Sequence, residues 1–372
     1  MKYCNRCILP DTRPNIQLDS NGICCSKVLE KSKIDWKERE KNLIEILKKA
    51  KKISSNYDCV IPVSGGKDST WQVAKILDYG MRPLCVTWKT PARNRIGSQN
   101  LKNLISLGVD HIDFTINPEV EKKFSRVTFK KTGIPALPMH LAIFSVPTNI
   151  AIKFKIPLII WGENSAYEYG SEGSLAESSF ISRDWLKSYG VSDGTFAEDW
   201  VGEDFTKEDL FPYTYPTDEL IKLSNLRGIF LGHYLEWNPR LTYEYSKKLG
   251  FISADNPLLG TYEFADIDDD FIMPVDHWIK WYKFGFTRTW DNLSQEIRLG
   301  KLSRQDAIKK IKEIGNEEPK DAIIKYCDFI EISTKEFYKI CNSFRGKDIW
   351  SYESGKYYIE NFLIKDWNWD EV

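Results

Sequence analysis

The stretch VIPVSGGKDST, residues 60–70, constrains this chain more than any other: an apolar run ends in Ser-Gly-Gly and passes straight into a helical pattern. Two adjacent glycines remove the side chains that would block a close approach to the backbone. A strand-to-helix turn of this kind gathers backbone N–H groups, the positive end of a helix dipole and the hydroxyls of Ser64 and Ser69 around one point. That is an anion cradle. The spacing is not that of a Walker A loop, because the four-residue spacer and the Gly-Lys-Ser/Thr order are absent. The bland alternative is a tight turn that holds no ligand.

The pattern around the loop alternates strands and helices. Strands are expected over 58–63, 83–88, 111–116, 157–161 and 228–234, and helices over 69–79, 97–107, 118–131 and 140–155. An amphipathic helix at 35–53 precedes them. This rhythm predicts an α/β fold, a parallel sheet with helices on both faces. Residues 165–220 are rich in Gly, Ser, Asp and Tyr and read as an insertion or a lid. From about 276 the chain is aromatic and then mostly helical, with Ser303 placed to cap a helix. The expected division is a small cysteine-rich knuckle at 1–34, the sheet domain at 35–235 and a C-terminal region at 236–372 that serves a substrate or a partner.

Charge and cysteine use narrow the partners. At 372 residues with a formal charge of −1, the chain has no broad basic field for a long nucleic acid. No run approaches the roughly 18 apolar residues of a membrane span, and the start lacks the apolar stretch of a signal peptide. A cytoplasmic protein is expected, with neither nucleic acid nor membrane as partner. Four of the eight cysteines, Cys4, Cys7, Cys24 and Cys25, fall in the first 25 residues. The CNRC spacing lets two thiolates share one Zn²⁺. GICCSK is irregular, since a second CxxC would need a thiol where Lys27 stands. A four-thiolate zinc knuckle and a small turn packed by reduced cysteines both remain open. Cys59, Cys85, Cys327 and Cys341 read as core thiols.

The loop resembles the SGGxDS pyrophosphate loop of the ATP pyrophosphatase superfamily, which splits ATP between the α and β phosphates. The resemblance implies an adenine nucleotide alpha hydrolase-like sheet. Ser64, Gly65, Gly66 and Ser69 would bind pyrophosphate oxygens, Asp68 would orient Mg²⁺, and Lys67 would bring positive charge to the leaving group, unless it is simply solvated. WGEN, at the end of the fourth strand, lies where open parallel sheets bind ligands. Gly162 is therefore expected at the nucleotide, and Glu163 and Asn164 at the reacting centre, against an ordinary polar turn.

Over its length the chain resembles the N-acetyl sugar amidotransferases of bacterial surface-polysaccharide and nonulosonate biosynthesis. The matching stretches are CNRCILPDTRPNI, VSGGKDST, IIWGENSAYEYG, GIFLGHYLEWNP and YKFGFTRTWDNLSQEIRLGKLSR. GICCSK departs from the family's paired CxxC, which bears on the metal site. The family turns an acetamido group of a sugar into an acetamidino group with ATP and ammonia. Lys283, Arg288, Asp291, Arg298 and Arg304 match its late basic motif and would face the sugar acid, the nucleotide or a subunit, with Arg288 placed in catalysis; surface salt bridges are the alternative. None of His111, His140, His233 and His277 sits in a glutaminase signature, and each reads as structural. Ammonia is therefore expected from a separate glutaminase and cyclase-like subunit pair, which the resemblance also implies. The competing reading is a tRNA thiolase, some of which place a cysteine knuckle before an SGGKDS loop. The near-neutral charge and the lack of a second CxxC in the catalytic half count against it.

Overall fold

The computed structural model describes residues 1–24, 34–168, 171, 174–255, 268–316 and 318–369. Its centre is a five-stranded parallel sheet: β1 (Cys59–Pro62), β2 (Pro83–Trp88), β3 (Asp110–Phe114), β4 (Leu158–Trp161) and β5 (Arg227–Phe230), in the order β3-β2-β1-β4-β5. The chain winds outward from β1 to β3, then returns to the other side of β1 as β4. Neighbouring crossovers therefore diverge at the C-terminal end of β1, where such sheets open a crevice. The VSGGKDST loop leaves the sheet at that point.

Alternation along the strands sorts two cores. Cys59 and Ile61 of β1 face helices α1 (Trp36–Ile53), α2 (Lys67–Asp78) and α3 (Arg95–Ile105), through Leu43, Leu47, Val73, Ile76, Leu101 and Leu104. Val60 faces the opposite layer, α4 (Pro118–Thr132) and α5 (Leu137–Lys153). Local signals fix the helix ends. Asp35 accepts from the Glu38 amide at 3.0 Å. Asn117 and Pro118 open α4, and Gly133, at φ 63°, closes it. Apart from the 228–234 strand, strand and helix bounds fall within three residues of the sequence expectation. The 228–234 segment differs most, because β5 stops at Phe230 and residues 231–234 turn as a helix. The Gly232 amide is drawn to the Gly162 carbonyl at 3.0 Å.

The 165–220 region is not only a cover. Phe205 and Tyr213 are buried against Phe124 of α4, at 5.2 and 4.9 Å between ring centres. Ser145 of α5 donates to the Pro212 carbonyl at 2.6 Å. Its start, at Ser165, Ala166 and Ser171, and its middle, around Trp185 to Gly194, border the cavity. Beyond it, helices at Ile272–Phe284, Arg288–Arg298, Arg304–Ile314, Lys320–Ile330 and Thr334–Ser343 pack on the α5 side, followed by an antiparallel hairpin, β6 (Trp350–Glu353) and β7 (Lys356–Ile359). The N-terminal turn joins the same core, with Tyr3 stacked on Trp290 at 5.9 Å. Among the described residues no helix is long and apolar enough to cross a membrane.

One buried acid gives this core a pH dependence. Glu121 of α4 is 4% exposed and accepts from the Trp88 indole N–H at 2.9 Å. Burial pushes its carboxyl up to about 8, against the smaller pull of that hydrogen bond. The folded state therefore binds a proton that the unfolded chain releases near 4.5, so this contribution to stability is full below that pH and is lost as pH rises through about 8. Glu121→Gln keeps an acceptor for the indole and removes the charge. Urea unfolding should show the variant more stable than wild type at pH 9 by about 2–4 kcal/mol, with no gain at pH 4. Parallel pH dependence of the two proteins would contradict the assignment.

Candidate active site

The loop is built so that its hydroxyls and amides converge. Gly65 has φ +89°, and a Cβ there would lie 2.6 Å from the Leu101 backbone nitrogen, so the position admits only glycine. Its amide donates to Ser69 Oγ at 3.2 Å, and the Gly66 amide to Ser64 Oγ at 3.3 Å. Gly66 is the N-cap of α2 and offers no side-chain cap to the first turn. Lys67 and Asp68 are gripped from behind by the Pro239–Lys248 helix, which sequence reasoning missed. Ser246 donates to the Lys67 carbonyl, and Thr242 Oγ1 to Asp68 Oδ1 at 2.9 Å. The Lys67 ammonium is buried on the other oxygen of Asp68.

A cavity of about 900 Å³ opens from this loop. Ser64, Asp68 and Ser69 border it, as do Gly162 and Glu163 from the end of β4, and Lys283, Arg288 and Asp291 from the C-terminal region. These expected residues, 227 positions apart at the extremes, thus share one space. Gly162 is packed tightly, since a Cβ would come 3.0 Å from the Trp237 ring. Burial and the nearby Asp68 push the Glu163 carboxyl up to about 7, while Arg288 pulls it down.

Three expected residues stand elsewhere. The Asn164 amide donates to the carbonyls of Ala176 and Ser178 at 2.8 and 3.0 Å, and its oxygen accepts from the Tyr167 amide, so it shapes the turn beside Glu163. Arg298 donates to the Glu168 carbonyl at 3.2 Å. Arg304 donates to the carbonyls of Cys4 and Cys7 at 3.3 and 2.9 Å, clamping the N-terminal turn onto its own helix.

Arg13 and Lys280 also border the cavity, and the sequence reading selected neither as a site residue. Arg13 Nε donates to Asp291 Oδ1 at 2.7 Å, and Lys280 Nζ lies 3.8 Å from Oδ2. Burial alone would raise the Asp291 carboxyl, but Arg13, Lys280 and Arg288 together hold it below its ordinary value. The match of CNRCILPDTRPNI to one family stretch contained Arg13, yet nothing in a linear sequence pairs it with a carboxylate 278 residues away.

The early thiols form a compact group. Cys4, Cys7 and Cys24 are buried with all three sulfurs within 4.8 Å of one another. Cys4 Sγ accepts from the amides of Arg6, Cys7 and Cys24 at 3.3–3.4 Å, and neighbouring thiols and amides hold it well below the ordinary thiol range. Amide donors around one sulfur stabilise a thiolate, so the donor set fits a soft metal ion. Cys25, the fourth expected ligand, lies outside the described residues. Cys59, Cys85, Cys327 and Cys341 are buried thiols, and burial raises each of them. His111 bonds Thr87, and burial lowers His233 to about 4. His140 and His277 both border the cavity.

Residues 260–363 match the family model "LPS biosynthesis protein WbpG-like, C-terminal domain". That span supplies Lys280, Lys283, Arg288 and Asp291 to the cavity wall. Among solved structures, NMN synthetase from Francisella tularensis is similar at 12% identity with a TM-score of 0.27, over 60% of this chain and 99% of that one. A likeness that loose carries no argument about this chain. No curated protein matches it.

Proposed function

We propose that this chain is an ATP-dependent sugar amidotransferase that adenylates the acetamido oxygen of a sugar and replaces it with ammonia, giving an acetamidino group, AMP and pyrophosphate. The observation that supports it most is that one cavity is shared by distant segments. The cavity joins a strand-to-helix anion loop to charged residues from a span similar to a lipopolysaccharide-biosynthesis domain. An amide oxygen is a poor leaving group until it is bonded to phosphorus, so a nucleotide loop and a sugar pocket must share a wall.

The roles follow from position. The amides at the start of α2, with Ser64 and Ser69, would hold the β and γ phosphates. Asp68 presents a hard carboxylate oxygen beside them, which fits Mg²⁺; the ion would neutralise charge building on the leaving pyrophosphate. Lys67, held on Asp68, fixes that carboxylate beside the loop. Arg288, between Glu163 and Asp291 in its charge contacts, would steady the transferring phosphoryl group. Cys4, Cys7 and Cys24 would hold Zn²⁺ as a structural ion that fixes the turn leading to Arg13. Elemental analysis should then find about one zinc per chain.

Ammonia would come from a separate glutaminase and cyclase-like subunit pair. The isolated chain should form AMP with an acetamido sugar and ammonium salts but not with glutamine, and respond to glutamine only when such a partner is added. Rates with ammonium alone should climb toward its pKa of about 9, as the free base becomes available. Glutamine hydrolysis by the chain alone, or AMP formation with bulk tRNA in place of sugar, would overturn this assignment.

A further inference from the structure

We infer that His140 is the catalytic base that takes the acetamido N–H proton as the oxygen attacks the α phosphorus. This inference rests on the amidotransferase reading above. His140 stands in the first turn of α5, on the strip with Ile143 and Pro147 that borders the cavity. Its ring Nδ1 lies 2.7 Å from the Ala136 carbonyl. A carbonyl only accepts, so Nδ1 carries the proton and Nε2 keeps its lone pair, directed away from the helix backbone. The anchor is itself fixed, because Asp276 Oδ1 accepts from the Ala136 amide at 3.2 Å.

Burial, rather than the charges around the ring, favours its neutral form. Asp276 and Lys280, both on the Ile272–Phe284 helix, act in opposite directions, and burial, the larger effect, lowers the imidazole below its ordinary 6.5. His277 on the same helix is lowered further, by burial and then by Lys280 and Arg288, so it adds no positive charge. A neutral base of fixed tautomer therefore borders the same cavity as the loop.

The chemistry needs such a group. When the amide oxygen forms its bond to the α phosphorus, the bond from that phosphorus to pyrophosphate breaks and the nitrogen becomes cationic. Loss of its proton to Nε2 leaves a neutral O-adenylyl imidate. Ammonia then adds to the imidate carbon and AMP departs with the C–O electron pair. The three ammonia hydrogens are shared between the two nitrogens of the amidinium, and His140 returns its proton to solvent. The conjugate acid of an imidate has an acidity close to that of imidazole, so transfer in either direction is feasible.

Acceptor-dependent exchange of labelled pyrophosphate into ATP, run without ammonia, isolates this step. His140→Ala and His140→Gln should lose exchange by about 10²–10⁴-fold while ATP binding and the thermal unfolding midpoint hold. Wild-type exchange should rise with pH through an ionisation below 6.5; the variants should lose that limb, and added imidazole should restore part of the rate in His140→Ala. Exchange in wild type with both variants unimpaired, or impaired with the acid limb retained and no rescue, would overturn the role of His140 and leave the amidotransferase reading standing. No exchange in wild type with any acetamido sugar would remove that reading and this inference together.

Discussion

Asp68→Asn is expected to lower pyrophosphate release by about 10²–10³-fold with the sheet intact. The side chain is 35% exposed and fills no core volume, so little packing is lost. An asparagine oxygen can still accept from Thr242, which keeps the side chain in place. What disappears is the negative charge, and with it the Mg²⁺ ligand and the counter-ion of buried Lys67. The thermal midpoint should fall somewhat for the second reason, while far-UV circular dichroism should not change. Normal AMP formation by the folded variant would refute the assignment of the loop.

The second large effect concerns stability. Asp291 is 2% exposed and accepts from Arg13 at 2.7 Å, with Lys280 3.8 Å away. Asp291→Ala leaves those cations and Arg288 facing one another in a buried space. Breaking a buried pair from one side costs about 3–5 kcal/mol, because the remaining cations lose the buried carboxylate that balanced them. Denaturant unfolding at pH 7 should show a loss of that order, and Arg13→Ala in the same background should recover part of it. The sign with pH is fixed. Asp291 is held below its ordinary value of 3.8, so its contribution is present above that pH and is lost as pH falls through the lower, folded value. The gap between variant and wild type should therefore narrow in acid. An undiminished gap there would show that Asp291 acts through packing rather than charge.

What the sequence made legible was local. Strand and helix periodicity, the two glycines and the Ser303 cap act over a few residues, and Ser303 caps the helix expected of it. Contacts between distant segments left no such trace. Arg304 and Arg298 carry the same charge as Arg288, yet two reach backbone carbonyls and one reaches the cavity; helix rotation decides that, and composition does not record it. Phe205 and Tyr213 lie in a stretch without periodicity, so their burial against Phe124 was hidden. The β6–β7 hairpin did carry a local signal, Ser354-Gly355 with both φ positive, a two-residue turn that a closer reading of ESGK would have found.

The claim on which the rest depends is that the acetamido oxygen attacks the α phosphorus of ATP. Incubating the protein with ATP, ammonium and an acetamido sugar labelled with ¹⁸O in its carbonyl tests it by mass spectrometry of the products. The account predicts that the label appears in AMP and that pyrophosphate carries none. Unlabelled AMP, or release of ADP with labelled inorganic phosphate, would contradict it.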